Sequence, residues 1–131
     1  MTLSRREFVQ LAATLGASLA WGGSARASTT GWQERRDLYP EGVASGDPDS
    51  SSVILWTRRP FASGGRRVLT VEVAEDEAFR RVVARATSPV SPESDWTTRV
   101  LVGHLEPARV YWYRFTDGEG NGSRIGRAIT A

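Results

Sequence analysis

Hydrolytic chemistry needs a nucleophile with a base, or a metal held by several N, O or S ligands, and this 131-residue chain contains one histidine and no cysteine. His104 alone cannot supply a zinc or di-metal cluster, and without thiols there is no thiolate site or cysteine nucleophile. Asp47 and Asp49 form a close acidic pair, but a hard cation takes about six to eight oxygens, and Asp beside Pro48 and Ser50 is ordinary turn vocabulary. Ser50, Ser51 and Ser52 are hydroxyls with no base placed beside them by spacing. The glycines of 118–122 lack the Lys and the strand-then-helix setting of a phosphate loop and read as a hairpin loop. Trp32, Tyr39, Trp96 and Trp112 could line a sugar platform, or fill a small core. The expectation is a chain with no catalytic residue, no metal ligand set and no cofactor of its own.

The elements around these residues read as β-structure. Turn signals recur at 46–48, 63–65, 88–89, 92–95, 106–107 and 118–122, with short β-rich runs between them, which is the pattern of a sandwich or barrel. Val68 to Ala74 alternates with Leu69, Val71 and Val73 on one face. Val53, Leu55 and Thr57 share one face of the next-earlier run, with Ile54 and Trp56 on the other. The segment 74–86 has two readings: an amphipathic helix with Phe79, Val82, Val83 and Ala86 at helical spacing, or one helical turn over 75–79 followed by an edge strand over 81–87. The edge strand is favoured, because a lone long helix inside a sandwich is unusual.

Leu105-Glu106-Pro107 followed by Tyr111-Trp112-Tyr113 matches the corner of fibronectin type III and related sandwiches, in which a tyrosine hydroxyl bonds back to the turn backbone. The fold class expected is therefore all-β, an Ig/fibronectin type III-like antiparallel β-sandwich of about seven strands. Trp56 is expected to fill the inter-sheet centre, with Tyr111 and Tyr113 in the core. Trp112 and Arg114, on the opposite strand face, are then the candidate interface, an aromatic beside Arg being common where surfaces meet partners.

The amino-terminal residues read as an export signal. Arg5 and Arg6 precede Phe8 and a short Ala/Gly-rich apolar run that ends at Ala25-Arg26-Ala27, a charged region, a short apolar region and a small-x-small cleavage site. The arginine pair with Phe8 resembles a twin-arginine signal, so the translocase is an expected partner and cleavage is expected after Ala27. The apolar run is shorter than the about 20 residues of a membrane span, so no stable membrane anchor is expected. This divides the chain into a leader over 1–27, a polar linker over 28–38 and one domain over 39–131, exported to the periplasm or beyond.

All 17 cations are Arg; three of them and one of the 15 acids lie in the leader, so the remainder is formally neutral. Nucleic acid is not an expected partner, because phosphate-backbone binding needs a concentrated positive face.

The run Tyr39-Pro40-Glu41-Gly42-Val43-Ala44-Ser45-Gly46-Asp47-Pro48, leading to Leu55-Trp56-Thr57-Arg58, resembles the opening of the N-terminal domain of PhoD-type alkaline phosphatases. Asp76 with Phe79, 95–97, 105–115 and 123–127 follow in the order of that family, so the likeness covers almost the whole chain. The resemblance implies an exported phosphoric ester hydrolase whose metal cluster, of iron and calcium, lies in a later calcineurin-like metallophosphoesterase domain. No ligand of that later domain has a counterpart here. The chain is thus expected to be a non-catalytic fragment, inactive alone, that packs on a catalytic domain present in cis or lost. A free-standing secreted protein- or carbohydrate-binding module is the alternative.

Overall fold

A computed structural model describes residues 4–131. Helix α1, Arg5–Leu15, begins at Ser4, whose hydroxyl accepts from Glu7 N–H at 3.2 Å and donates to the Glu7 carboxylate at 3.0 Å. The first of these bonds satisfies one orphan backbone donor of the first turn. The helix stops at Gly16, which adopts the left-handed conformation (φ 65°) that glycine takes without a Cβ penalty.

The rest is strand. β1 is Ser18–Trp21, β2 Gln33–Glu34, β3 Val43–Gly46, β4 Val53–Arg58, β5 Arg67–Ala74, β6 Val82–Val90, β7 Thr97–Gly103, β8 Val110–Thr116, β9 Asn121–Gly122 and β10 Gly126–Ile129. One sheet has the order β1-β7-β4-β3; the other runs β2-β9-β8-β5-β6, with β10 also pairing β8. The fold is an all-β sandwich, with more strands than the seven expected. It is also not purely antiparallel: β1 pairs β7 and β2 pairs β9 in parallel. Both parallel partners come from the first 34 residues, which the sequence pattern assigns to leader and linker.

The core lies between the sheets. Leu55 of β4 and Val100 and Val102 of β7 face Leu69, Val71 and Val73 of β5 and Tyr111, Tyr113 and Phe115 of β8, all essentially inaccessible to solvent. Each such side chain contributes roughly 1.5 to 3 kcal/mol by leaving water. Alternation fixes which face is used: β4 reads buried, half-buried three times in succession.

That register corrects the expectation for Trp56. It pairs across to Arg99 and Ala44 on the outer face of the first sheet and is only half-buried, while Val53, Leu55 and Thr57 point inward. With both faces of β4 carrying apolar groups, the largest side chain took the face that tolerates bulk.

Over 74–86 the chain is a turn and an edge strand, not a long helix. Phe79 N–H donates to Asp76 O, and the Asp76 carboxylate accepts from the N–H groups of Arg80 and Arg81. β6 then runs on through Pro89, which the sequence marks as a turn; on an edge strand the missing N–H is tolerated.

Candidate functional site

The tyrosine corner closes one end of the sandwich. Tyr111 is buried, and its hydroxyl accepts from Glu106 N–H at 2.8 Å. Thr130 donates to Glu106 O at 2.6 Å and accepts from Arg109 N–H at 3.0 Å, tying β10 to the same corner. Ala131 N–H donates to Asp49 O, and Ala108 N–H to Ala131 O. The 47–50 turn, the corner and residue 131 are therefore one stitched surface. Asp49 spends its carboxylate on Ser50 N–H at 2.7 Å, a local turn bond. Tyr113 is buried against Gly126, whose lack of a side chain admits the ring, and burial pushes its hydroxyl pKa up to about 12.

The outer face of β5 and β8 carries a buried charge network. Arg114 projects away from Tyr111 and Tyr113 but is not exposed: only 8% of the residue is accessible. Its Nη2 and Nε lie 3.1 and 3.2 Å from Glu72 Oε1, and Ser28 Oγ donates to both Glu72 oxygens at 2.9 and 2.7 Å. The guanidinium sits 4.0 Å from the Phe79 ring centroid and 5.0 Å from that of Trp32. Two aromatic faces and a carboxylate replace the water that the cation loses. The interface expectation for Arg114 is therefore corrected: residues 28–32 and the 76–82 turn fold over this face. Trp112 is half-buried against the cluster of Ala74, Phe79 and Val82, as is Ile125.

Residues 28–38, expected to be a linker, are pinned to the sandwich. Trp32 Nε1 donates to Ser123 O at 3.2 Å and its ring occupies the space a side chain at Gly122 would need. Tyr39 is fully buried and its hydroxyl donates to Asn121 O at 2.9 Å. The rings considered as a sugar platform are thus dispersed: Tyr39 in the core, Trp96 against Phe61, Trp32 over Gly122 and Trp112 over the 79–82 turn.

A second buried pair, missed by the sequence reading, joins Arg59 Nη2 to Asp117 Oδ2 at 2.8 Å, with side chains 8% and 5% exposed. Burial alone would raise the Asp117 pKa. The Arg59 hydrogen bond and those from Glu119 N–H, Asn121 N–H and the Asn121 side chain outweigh it, holding the carboxyl below the ordinary range. The pair anchors the 117–121 loop, where Asp117 Oδ1 accepts from Glu119 and Asn121 N–H. The only available signal was Asp117 at the head of a glycine-rich turn, which says nothing about a partner 58 residues away.

Residues 5–27, expected from the sequence to belong to a leader, also have defined places. Arg5 and Arg6 are exposed, Phe8 is buried, and Ala25 packs at the edge of the core while Ala27 is exposed. A cleft of about 330 Å³ lies between residues 21–29 and Glu72, Val82 and Arg85. His104 stacks on Trp21 at 4.9 Å and its Nδ1 meets Gly22 O at 2.8 Å. Among the described residues no three His, Cys, Asp or Glu side chains converge as a metal site, and no helix is long and apolar enough to cross a membrane. The donor set here does not fit an iron and calcium cluster, so no chemical step is assigned to such a metal in this chain.

A family model described as the N-terminal domain of PhoD-like phosphatases matches residues 23–131. Alkaline phosphatase D of Bacillus subtilis (strain 168) is 40% identical over 129 residues, covering 89% of this chain and 22% of that protein. A solved structure titled "Structure of PhoD" superposes with a TM-score of 0.68 at 34% identity, covering 81% of this chain and 20% of its own. The chain thus spans about a fifth of the length of these relatives, and with the family model matching the sandwich from Gly23 to Ala131 it belongs to the PhoD-like phosphatase N-terminal domain family.

Proposed function

We propose that this chain is the non-catalytic amino-terminal domain of an exported phosphoric ester hydrolase of the alkaline phosphatase D type. The observation that carries the reading is one of coverage: the likeness takes in nearly all of this chain but 22% of the Bacillus protein, leaving the greater part of that enzyme outside it. The chemistry belongs to that remainder, a metallophosphoesterase domain with iron and calcium, on which the sandwich packs. A polypeptide continuing past Ala131 would leave from the surface formed by Asp49, Ala108 and the tyrosine corner. A pinned exit restricts the motion of whatever follows it more than a flexible linker does. Residues 1–27 serve as a twin-arginine export leader, cleaved after Ala27. The absence of cysteine supports this route, because a domain without disulfides can finish folding in a reducing cytoplasm before transport.

Sequencing the transcript past codon 131 tests the reading. An open frame encoding clusters of Asp, His and Asn is the expected result. A stop codon with no such frame downstream would favour a free-standing module and overturn the domain role.

A further inference from the structure

We propose that the sandwich carries a docking site for its own export leader, one that withholds Phe8 from the translocation machinery until the leader lifts off. The inference rests on the twin-arginine reading of residues 1–27 for its consequence, and on geometry for the docking itself.

The receiving surface is built by the domain. β7 offers its outer edge to β1 over Val100 to Gly103, and Gly22 N–H adds a bond to Gly103 O at 2.8 Å. Phe8 and Ala12, each 3% exposed, pack with Leu101, with Ile54 and Trp21 alongside. The fit depends on a glycine: a methyl built on Gly103 would overlap the Phe8 ring. Ala20 reaches the main core, and Ser18 Oγ bonds Ser88 Oγ of the opposite sheet at 2.8 Å. His104 takes a positive φ of 60°, uncommon for a non-glycine residue, and from there stacks its ring on Trp21. The chain's one imidazole, which no chemistry here uses, thus contacts the docked segment through Trp21 and Gly22 O.

Docking divides the leader in two. Arg5, Arg6 and the outward residues Val9, Leu11 and Leu15 stay accessible, while Phe8 is covered. The cleavage segment is engaged as well: Arg26 exchanges both backbone hydrogen bonds with Val82, and Ser28 N–H donates to Phe79 O. A receptor that needs Phe8 therefore meets only the undocked fraction, and its apparent affinity falls by that fraction. Edge pairing also shields β7 from association with other chains, since an unpaired strand edge is a template for them.

The test uses the purified full chain and two variants on the receiving side, Leu101→Ala and Gly103→Ala, with near-ultraviolet dichroism to establish folding. Amide exchange over residues 18–22 is expected to be slow in the parent and faster in both variants. Binding to vesicles bearing the twin-arginine receptor should then tighten, by about tenfold if nine-tenths of the parent is docked. Parent amides over 18–22 exchanging at unstructured rates would overturn the docking. Variants that free the strand but bind receptor no better would overturn the withholding of Phe8. The Arg5→Lys/Arg6→Lys chain separates the two readings: if it binds receptor as well as the parent, the twin-arginine assignment falls, while the exchange data still decide whether the leader docks.

Discussion

The guanidinium of Arg114 lies 3.1 Å from the carboxylate of Glu72, on the outer face of the sheet, with side chains 10% and 2% exposed. Breaking such a pair leaves one uncompensated buried charge, whereas replacing both partners removes the charges together. Arg114→Met is expected to cost about 3 to 5 kcal/mol. The double variant Glu72→Leu/Arg114→Met should recover most of that loss. Denaturant melts of the two single variants and the double variant check this; equal destabilisation in the double variant would show that packing, not charge, holds the face.

The corner at Tyr111 calls for a smaller effect. Tyr111→Phe keeps the ring and removes the acceptor for Glu106 N–H, a loss of about 1 to 3 kcal/mol if that donor stays unpaired. Because Thr130 is tied to Glu106 as well, amide exchange in β10 should rise alongside.

Much of the sandwich was legible in the sequence because strand periodicity is local. Alternation in 68–74 and the Leu-x-Pro spacing before Tyr111 are statements about neighbours along the chain, and they place β5 and the corner. What periodicity does not contain is which outer face acquires a cover. Strand alternation puts Arg114 and Trp112 opposite Tyr111 and Tyr113, as observed, but Ser28, Trp32 and Phe79 fold over that face from elsewhere in the chain. The same limit applies to Trp56: Ile54 and Trp56 are as apolar as Val53 and Leu55, so composition does not say which face is inner. The Arg59–Asp117 pair joins residues too distant in sequence for any local signal.

That corrected placement orders two core substitutions. Leu55, with no exposed surface, should lose about 2 to 5 kcal/mol on change to Ala. Trp56→Ala, on the half-buried outer face, should cost less than Leu55→Ala in the same melts. The reverse order would return Trp56 to the inter-sheet centre.

Acid stability follows from Asp117, whose carboxyl titrates lower in the folded chain than its ordinary 3.8. A depressed carboxyl contributes stability that is present above the unfolded value and lost as pH falls through the folded one. Stability should therefore fall as pH drops below about 4, and Asp117→Asn should flatten part of that limb while lowering stability at neutral pH. At the alkaline end the sign reverses. Burial raises the hydroxyls of Tyr39, Tyr111 and Tyr113, so their contribution is complete below about pH 10 and declines above it. Melts across both limits read the two effects.

Whether the polypeptide itself can hydrolyse phosphate esters is decided by assaying the purified chain on a chromogenic ester with iron and calcium added, and measuring metal retained after dialysis. The account predicts no turnover above buffer and no stoichiometric metal. Sustained, metal-dependent turnover, with ions held by residues of 28–131, would contradict it.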